Sequence, residues 1–185
     1  MTRLISLVAL GLALAACSTE QRYLVDPPVA EGTARLAVRT LEVRDVSLPS
    51  YAEASEILLE DESGALTQIK GALWADDPAR AMTLSLADRI GLASSATVSP
   101  EPWPLEEDAQ AAVTVRVSQL VARASGTVDL TGQFAISSYD RVVRERIERF
   151  TISVPLTDTS PAAIADATGR AIGELAGRIT TSLRR

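Results

Sequence analysis

Apolar and polar residues alternate most regularly in the second half of the chain. Residues 111–123, 130–139 and 143–154 follow this period of two, which is typical of half-buried β-strands. Just before and within the third stretch basic and acidic side chains interleave, namely Arg141, Arg144, Glu145, Arg146, Glu148 and Arg149. Charges of both signs in that pattern indicate a solvated sheet face or cross-strand pairs, and the carboxylates argue against a nucleic-acid patch.

The first half of the chain contains shorter patterns of the same kind. Residues 35–39 and 41–44 predict a first strand, and Pro49 ends that stretch. Two short apolar runs, 56–60 and 65–73, flank the turn cluster Asp61-Glu62-Ser63-Gly64 and therefore predict a hairpin. The proline-rich stretch 99–104 is typical of a stiff loop.

Helices are predicted at two places where a capping residue precedes a proline. Asp77-Pro78 begins the first helix, which Gly91 is placed to end, and Ser160-Pro161 begins the second, which extends to about Leu183. The apolar residues of each fall on one face of a helix. They are Ala79, Met82, Leu86, Ala87 and Ile90 in the first, and Ile164, Ala171, Ile172, Leu175, Ile179 and Leu183 in the second.

The resulting order, β-β-β-α-β-β-β-α, predicts an α+β fold in a single two-layer domain. We expect a mostly antiparallel sheet with two helices packed on one face. The domain would comprise residues 35–185, preceded by a lipidated N-terminus and tether at 17–34 and a lipoprotein signal peptide at 1–16. The pattern contains no internal repeat and indicates no second domain.

Gly169, Gly173 and Gly177 lie four residues apart in the second predicted helix, away from its apolar face. A glycine inside a helix is less favourable than alanine by about 1 kcal/mol, so each requires a compensating contact. Two interpretations remain open. One is close packing of the helix on its own domain, and the other is a smooth contact surface for a partner or a neighbouring subunit.

The N-terminus predicts a secretory signal. Arg3 precedes an apolar run at 4–16, which is too short to cross a bilayer because a spanning helix takes about 20 residues. The run ends in Leu14-Ala15-Ala16-Cys17, which resembles the bacterial lipobox, where the cysteine is acylated and the signal is cut before it. Acyl chains on Cys17 would hold the domain on a membrane, and Ser18 favours the outer membrane by the bacterial sorting convention.

Composition narrows the chemistry further. The chain of 185 residues has no histidine and one cysteine, which excludes an intrachain disulfide and the usual His-dependent catalytic and zinc sites. The formal net charge is −6, and it becomes −7 without residues 1–16, which contain only Arg3 as a charged residue. Such an acidic domain is a poor candidate for binding nucleic acid or an anionic bilayer by charge. We therefore expect no catalytic, metal-binding or cofactor-binding residues.

Three carboxylate clusters and the only lysine, Lys70, remain as candidates for chemistry. The clusters are Glu60-Asp61-Glu62, Asp76-Asp77 and Glu106-Glu107-Asp108. They lack EF-hand spacing and coincide with predicted turns or helix starts, so we interpret them as solvated loops and caps. The protein is therefore not expected to be an enzyme.

Short motifs along the chain carry a family resemblance. After the lipobox they are Tyr23-Leu24-Val25-Asp26, Leu36-Ala37-Val38, Leu48-Pro49-Ser50-Tyr51, Ile57, Trp74-Ala75, Pro78 and Phe150-Thr151-Ile152. Together they resemble the ABC-type transport auxiliary lipoprotein family, which includes the PqiC-like lipoproteins. The resemblance extends over essentially the whole chain after Cys17.

This resemblance implies a periplasm-facing, outer-membrane-anchored component of a phospholipid transport system. It would dock to an MCE-domain periplasmic protein, which works with an inner-membrane permease, and a homo-oligomeric ring is one arrangement that this role allows. Two alternatives remain open. The lipoprotein could itself hold an acyl chain in an apolar cavity between helix and sheet, or it could be a hydrolase that uses carboxylates or Lys70.

Overall fold

Eight strands and two helices make up most of residues 20–28, 33–139 and 141–184, which are the residues that a computed structural model describes. The strands are β1 (Gln21–Tyr23), β2 (Thr40–Val43), β3 (Glu56–Glu60), β4 (Leu66–Trp74), β5 (Thr97–Pro100), β6 (Ala111–Arg123), β7 (Thr127–Ser137) and β8 (Arg146–Pro155). The helices are α1 (Pro78–Leu92) and α2 (Pro161–Ser182). The predicted signal peptide and Cys17 lie outside the described residues.

The sheet is assembled around β6. Its alternating valines, Val113, Val115 and Val117, are buried, as the period of two predicts. Along one edge β6 pairs antiparallel with β7 over almost its whole length. Along the other edge it pairs in parallel with β2 near its start and with β3 near its end. The chain from β2 to β3 therefore follows β6 along that second edge.

The α+β class and the single domain are confirmed, but the sheet is mixed. The ladders β3–β4, β6–β7 and β7–β8 are antiparallel, whereas β1–β4, β2–β5, β2–β6 and β3–β6 are parallel. A parallel pair cannot be closed by a short turn and needs a crossover connection. The chain supplies one by passing through β3, β4 and α1 before β5 pairs with β2.

Residues 35–39 were predicted to belong to the first strand, but only Thr40–Val43 form one. Two short strands, β1 and β5, also differ from the expectation. β1 lies in the stretch that was expected to be a tether, and β5 includes Ser99 and Pro100 of the predicted loop. Each pairs at an edge of the sheet, with β4 and β2 respectively, so tertiary pairing and not a local pattern decides its conformation. Pro100 lies on an edge strand, where the missing N–H of proline is tolerated.

Both helices begin where the capping pattern predicts. The carboxylate of Asp77 accepts a hydrogen bond from the Arg80 N–H at 2.8 Å, and the Ser160 hydroxyl accepts one from the Ala163 N–H at 3.3 Å. α1 runs one residue past Gly91. The helices pack against each other and on the sheet, α1 on β2 and β5 and α2 on β7 and β8. All the predicted core residues are buried except Ala79, which is half-buried.

A charged network joins four strands where β6 turns into β7. Arg123 donates from Nε to Asp129 Oδ2 at 2.5 Å and from Nη1 to Glu60 on β3, while the Ser153 hydroxyl on β8 donates to Asp129 Oδ1 at 2.6 Å. The side chains of Arg123 and Asp129 are 27% and 22% exposed. Burial by itself raises the pKa of the Asp129 carboxyl, but hydrogen bonds from Ser153 and Arg123 outweigh it and lower that pKa below its ordinary value.

We expect Asp129→Asn to lower the free energy of unfolding by about 1–3 kcal/mol at neutral pH, because hydrogen bonds to a charged group are lost. The pKa of Asp129 is lower in the folded state than in the unfolded state. Its contribution is therefore fully present above the unfolded value of about 3.9 and is lost as the pH falls through the folded pKa. In urea unfolding, the free energies of unfolding of the wild-type protein and the variant should differ by a constant amount above about pH 5. The difference should shrink below about pH 4.

The matched control is Asp166→Asn, which removes an exposed ion pair with Arg170 four residues along α2. Its effect on the free energy of unfolding should stay within about 0.5 kcal/mol. A difference for Asp129→Asn that persists undiminished at about pH 2 would show that the carboxylate charge is not its cause.

Candidate functional site

A groove of about 800 Å³ lies between the end of α1, the second half of α2 and the start of β8. Four arginines contribute to its wall, Arg89, Arg149, Arg178 and Arg184. Glu148 and Glu174 also line it, so arginines outnumber carboxylates there. In a chain of net negative charge, this groove is a local concentration of guanidinium groups.

The arginines meet because α2 runs antiparallel to β8. Arg170 donates to the carbonyl of Pro155 at 2.8 Å, and two turns later Arg178 donates to the carbonyl of Thr151 at 3.0 Å. Later turns of α2 therefore contact earlier residues of β8. The last turns of the helix come to lie beside the first residues of the strand, which brings Arg178 and Arg184 into one groove with Arg149.

The wall of the groove contains two buried polar atoms without a hydrogen-bond partner among the described residues. They are Nε of Arg89 and Oγ1 of Thr180, and Thr180 is only 4% exposed. The terminal nitrogen Nη2 of Arg89 does have a partner, Asp26 Oδ1 at 3.1 Å. An unsatisfied buried polar group costs about 1–3 kcal/mol, so the wall retains unused hydrogen-bonding capacity.

An exposed apolar and basic surface lies next to the groove, at the end of the β7–β8 hairpin. We call residues 138–147, apart from Asp140, the hairpin tip. Its apolar side chains Tyr139, Val142 and Ile147 are 64%, 41% and 68% exposed. Arg141, Arg144 and Arg146 are exposed as well. Large exposed side chains that cluster in this way mark interaction sites more often than those scattered singly.

Two of the three predicted contact glycines are covered by the chain itself. A Cβ on Gly169 would lie 2.9 Å from the carbonyl oxygen of Asp26, and one on Gly173 would lie 3.3 Å from Cδ of Pro28. The N-terminal segment thus crosses α2 in close contact with its backbone. A Cβ on Gly177 would have no described atom within 4 Å, and Gly177 lines the groove. Of the three glycines, only this one leaves open space for a partner to contact.

The predicted carboxylate clusters have structural contacts. Asp61 accepts hydrogen bonds from the Ser63 hydroxyl and from backbone N–H groups of the β3–β4 turn, and these lower the pKa of its carboxyl. Asp76 pairs with Arg80, and Asp77 caps α1. Glu60 differs from the expectation, since it is half-buried at the end of β3 and pairs with Arg123 instead of lying in a solvated loop.

Near the start of α2, the interface between helix and sheet leaves little space. The cavity beneath α2, lined by Trp74, Val128 and Ile164 among others, has a volume of about 40 Å³. That is well below the roughly 150 Å³ of a cavity that holds benzene. An acyl chain does not fit into this cavity, so the space beneath the first turns of α2 gives no support to the alternative in which the domain holds lipid. The larger space between helix and sheet is the arginine-lined groove at the other end of α2.

The groove and the hairpin tip contain residues that the sequence did not single out as a site. The interleaved charges at residues 141–149 were a visible signal, and the structure shows them exposed, with only Glu148 half-buried. Arg89, Arg178 and Arg184 gave no signal, because nothing local shows that two helix ends and a strand meet. Within the described residues there is no cluster of three or more metal-ligating side chains, and neither helix is long and apolar enough to cross a membrane.

The two helices and the open, mixed sheet make this an α+β domain, and solved structures of other proteins have a similar fold. Protein XCC0632 from Xanthomonas campestris, a DUF330 family protein, has 18% sequence identity and a TM-score of 0.67, with 88% of this chain and 94% of that chain covered. An uncharacterised protein has 16% identity and a TM-score of 0.64, with 88% and 98% covered. At these identities the similarity concerns the fold.

The family is shown by the sequence. Residues 23–180 match the sequence model of a protein family, the ABC-type transport auxiliary lipoprotein component family. This chain belongs to that family. The match confirms the resemblance drawn from the short motifs. No curated protein sequence matches the chain significantly.

We expect Gly169→Ala to displace the N-terminal segment from α2, because its Cβ would meet backbone atoms of Asp26 and Pro27 within 3.3 Å. The domain without its signal peptide and lipid should unfold at lower urea concentration. Trypsin should also cleave faster after Arg22, which is held in β1 beside that segment. Fluorescence would measure the urea unfolding, and mass spectrometry would measure the tryptic cleavage on the same samples.

Gly177→Ala is the matched control in the same helix. Its Cβ meets nothing within 4 Å. Alanine should therefore raise the free energy of unfolding by up to about 1 kcal/mol through its higher helix propensity. Cleavage after Arg22 should not change. Equal effects of the two substitutions would contradict the role assigned to the contact between Gly169 and Asp26.

Proposed function

We propose that the protein is an outer-membrane-anchored periplasmic lipoprotein that assists an ABC/MCE-type phospholipid transport system by docking to its periplasmic MCE-domain protein. The observation that carries the proposal is the family match over residues 23–180, which follows a lipobox ending at Cys17. In this proposal the lipid on Cys17 makes the membrane contact. The folded domain remains free to contact the partner.

The domain suits a docking role better than a catalytic one. Glu60, Asp76 and Asp77 are engaged in a cap and in ion pairs, and Lys70 lies exposed on β4. What the surface does offer is an arginine-lined groove beside exposed apolar side chains. Aromatic residues and arginine are enriched in protein interfaces. We therefore propose a protein contact as the work of this domain and no reaction of its own.

Localisation is tested with two single substitutions in the full-length protein. Cys17→Ser should release the protein into the soluble periplasmic fraction, since its membrane contact is the acylated cysteine. Ser18→Asp should move it from the outer to the inner membrane, because aspartate at that position is the bacterial inner-membrane retention signal. Both are followed by membrane fractionation with immunoblotting. Retention of Cys17→Ser in the membrane would mean that another part of the chain anchors it.

Docking is tested by gentle detergent extraction of the lipidated protein together with the MCE-domain protein of the same bacterium. The proposal expects the two to co-purify, along with the inner-membrane permease bound to the MCE protein. Absence of the MCE protein from the purified sample, with the lipoprotein intact and membrane-bound, would contradict the docking role. Turnover in a broad hydrolase screen, abolished by Lys70→Ala, would favour the enzymatic alternative instead.

A further inference from the structure

The anchor is attached at one edge of the sheet. β1 pairs with β4 alone and stands first in the sheet path β1-β4-β3-β6, which continues through β7 to β8. Gln21, the first residue of β1, lies four residues after Cys17. Four residues of extended chain span at most about 14 Å, so a lipid on Cys17 keeps this edge close to the membrane.

The hairpin tip lies at the opposite corner of the sheet. Across the sheet, five inter-strand spacings separate β1 from β8, which is about 24 Å in a flat sheet. Along the strand direction, the chain before Gln21 points toward the end of the sheet that contains the β3–β4 turn, because β1 runs parallel to β4. β7 and β8 are joined at the other end, since β6 runs parallel to β3 and antiparallel to β7. The tip is therefore far from the anchor in both directions.

The carboxylates of this corner are partly engaged by the domain itself. Glu145 accepts a hydrogen bond from the Ser138 N–H at 3.1 Å, and Glu148 lies 3.7 Å from Arg146. Arg144 and Arg149 form no ion pair within the described part of the chain. Guanidinium groups are thus left available on a surface that also exposes large apolar side chains.

The tip continues directly into the groove. Ile147 and Arg149 lie two residues apart on the same face of β8, and Arg149 lines the groove together with Arg178 and Arg184 at the end of α2. An elongated ligand can therefore contact exposed apolar residues at the tip and arginines in the groove. The carboxylates Glu148 and Glu174 offer fewer charges of the opposite sign.

Resting on the function proposed above, we infer that the hairpin tip and the groove together form the docking surface for the periplasmic partner protein. They accept a segment that presents apolar side chains next to Asp or Glu. Apolar contacts at Val142 and Ile147 supply affinity, and arginines pair with the partner's carboxylates, which gives specificity and speeds association. The position of the hairpin tip, far from the anchor, suits contact with a protein that reaches across the periplasm and not with the membrane that holds the lipid.

The test uses the full-length, lipidated protein in membranes that contain the MCE-domain protein. Two double variants remove one feature each, Val142→Ser with Ile147→Ser and Arg144→Glu with Arg149→Glu. The controls make the same kinds of change at the anchored end, Leu66→Ser and Lys70→Glu, both exposed on β4. Each tip variant should reduce the co-purified fraction of the MCE protein about tenfold, and each control should change it less than about twofold.

A second measurement does not depend on variants that weaken the surface. Benzoylphenylalanine at position 142 should cross-link to the MCE-domain protein on illumination, whereas the same group at position 66 should not. Cross-links at 142 to phospholipid only, or at 66 and not at 142, would overturn the inference. The melting temperature of each soluble, unlipidated variant separates loss of binding from loss of folding.

The outcomes distinguish the two proposals. If the wild-type protein does not bind the MCE protein at all, the proposed function fails and this docking surface fails with it. If the wild-type protein binds and the folded tip variants bind equally well, the function stands and the surface is wrong. The wild-type complex should weaken as salt rises, and the variant with Arg144→Glu and Arg149→Glu should show a smaller salt dependence, because two of the arginines that pair with carboxylates are gone.

Discussion

The pairing of β6 along both of its edges is the constraint on which the rest of this fold depends. One edge pairs with β7, and the other receives first β2 and then β3, so three separate parts of the chain take their positions from one strand. The backbones of β6 and β7 approach each other closely at one point. A Cβ on Gly132 of β7 would lie 2.3 Å from the carbonyl oxygen of Arg116, so only glycine fits opposite β6 there. The Arg123 network then connects β3, β6, β7 and β8 at one end of the sheet.

The second organising feature is the antiparallel course of α2 along β8. Arginines at regular intervals on the helix donate to strand carbonyls that the β7–β8 ladder leaves unpaired, namely those of Pro155 and Thr151. These bonds cover part of an exposed strand edge, which would otherwise be open to unwanted pairing. The same packing brings the end of α2 to the groove. Stabilisation of the sheet edge and formation of the groove are thus consequences of one arrangement.

The described N-terminal segment is packed onto the rest of the domain. β1 pairs with β4, Asp26 bonds to Arg89, and residues 26–28 lie on the glycines of α2. Small residues in the helix are needed because backbone atoms of the segment approach within 3 Å of where a Cβ would be. In the proposed function, a lipid on Cys17 would lie only three residues before Glu20, the first described residue, and so short a span would limit how far the domain can move from the membrane.

The sequence alone determined what depends on local chemistry. Alternating valines identified β6, capping residues before prolines identified the start of both helices, and short motifs identified the family that the match over residues 23–180 confirmed. These features are readable because their signals lie within a few neighbouring residues. Tertiary structure decided the parallel pairings, the strands β1 and β5, the ion pair between Glu60 and Arg123, and the meeting of arginines in the groove. Each of these depends on residues far apart in the chain that meet only when the sheet and helices pack together, and no local pattern records that meeting.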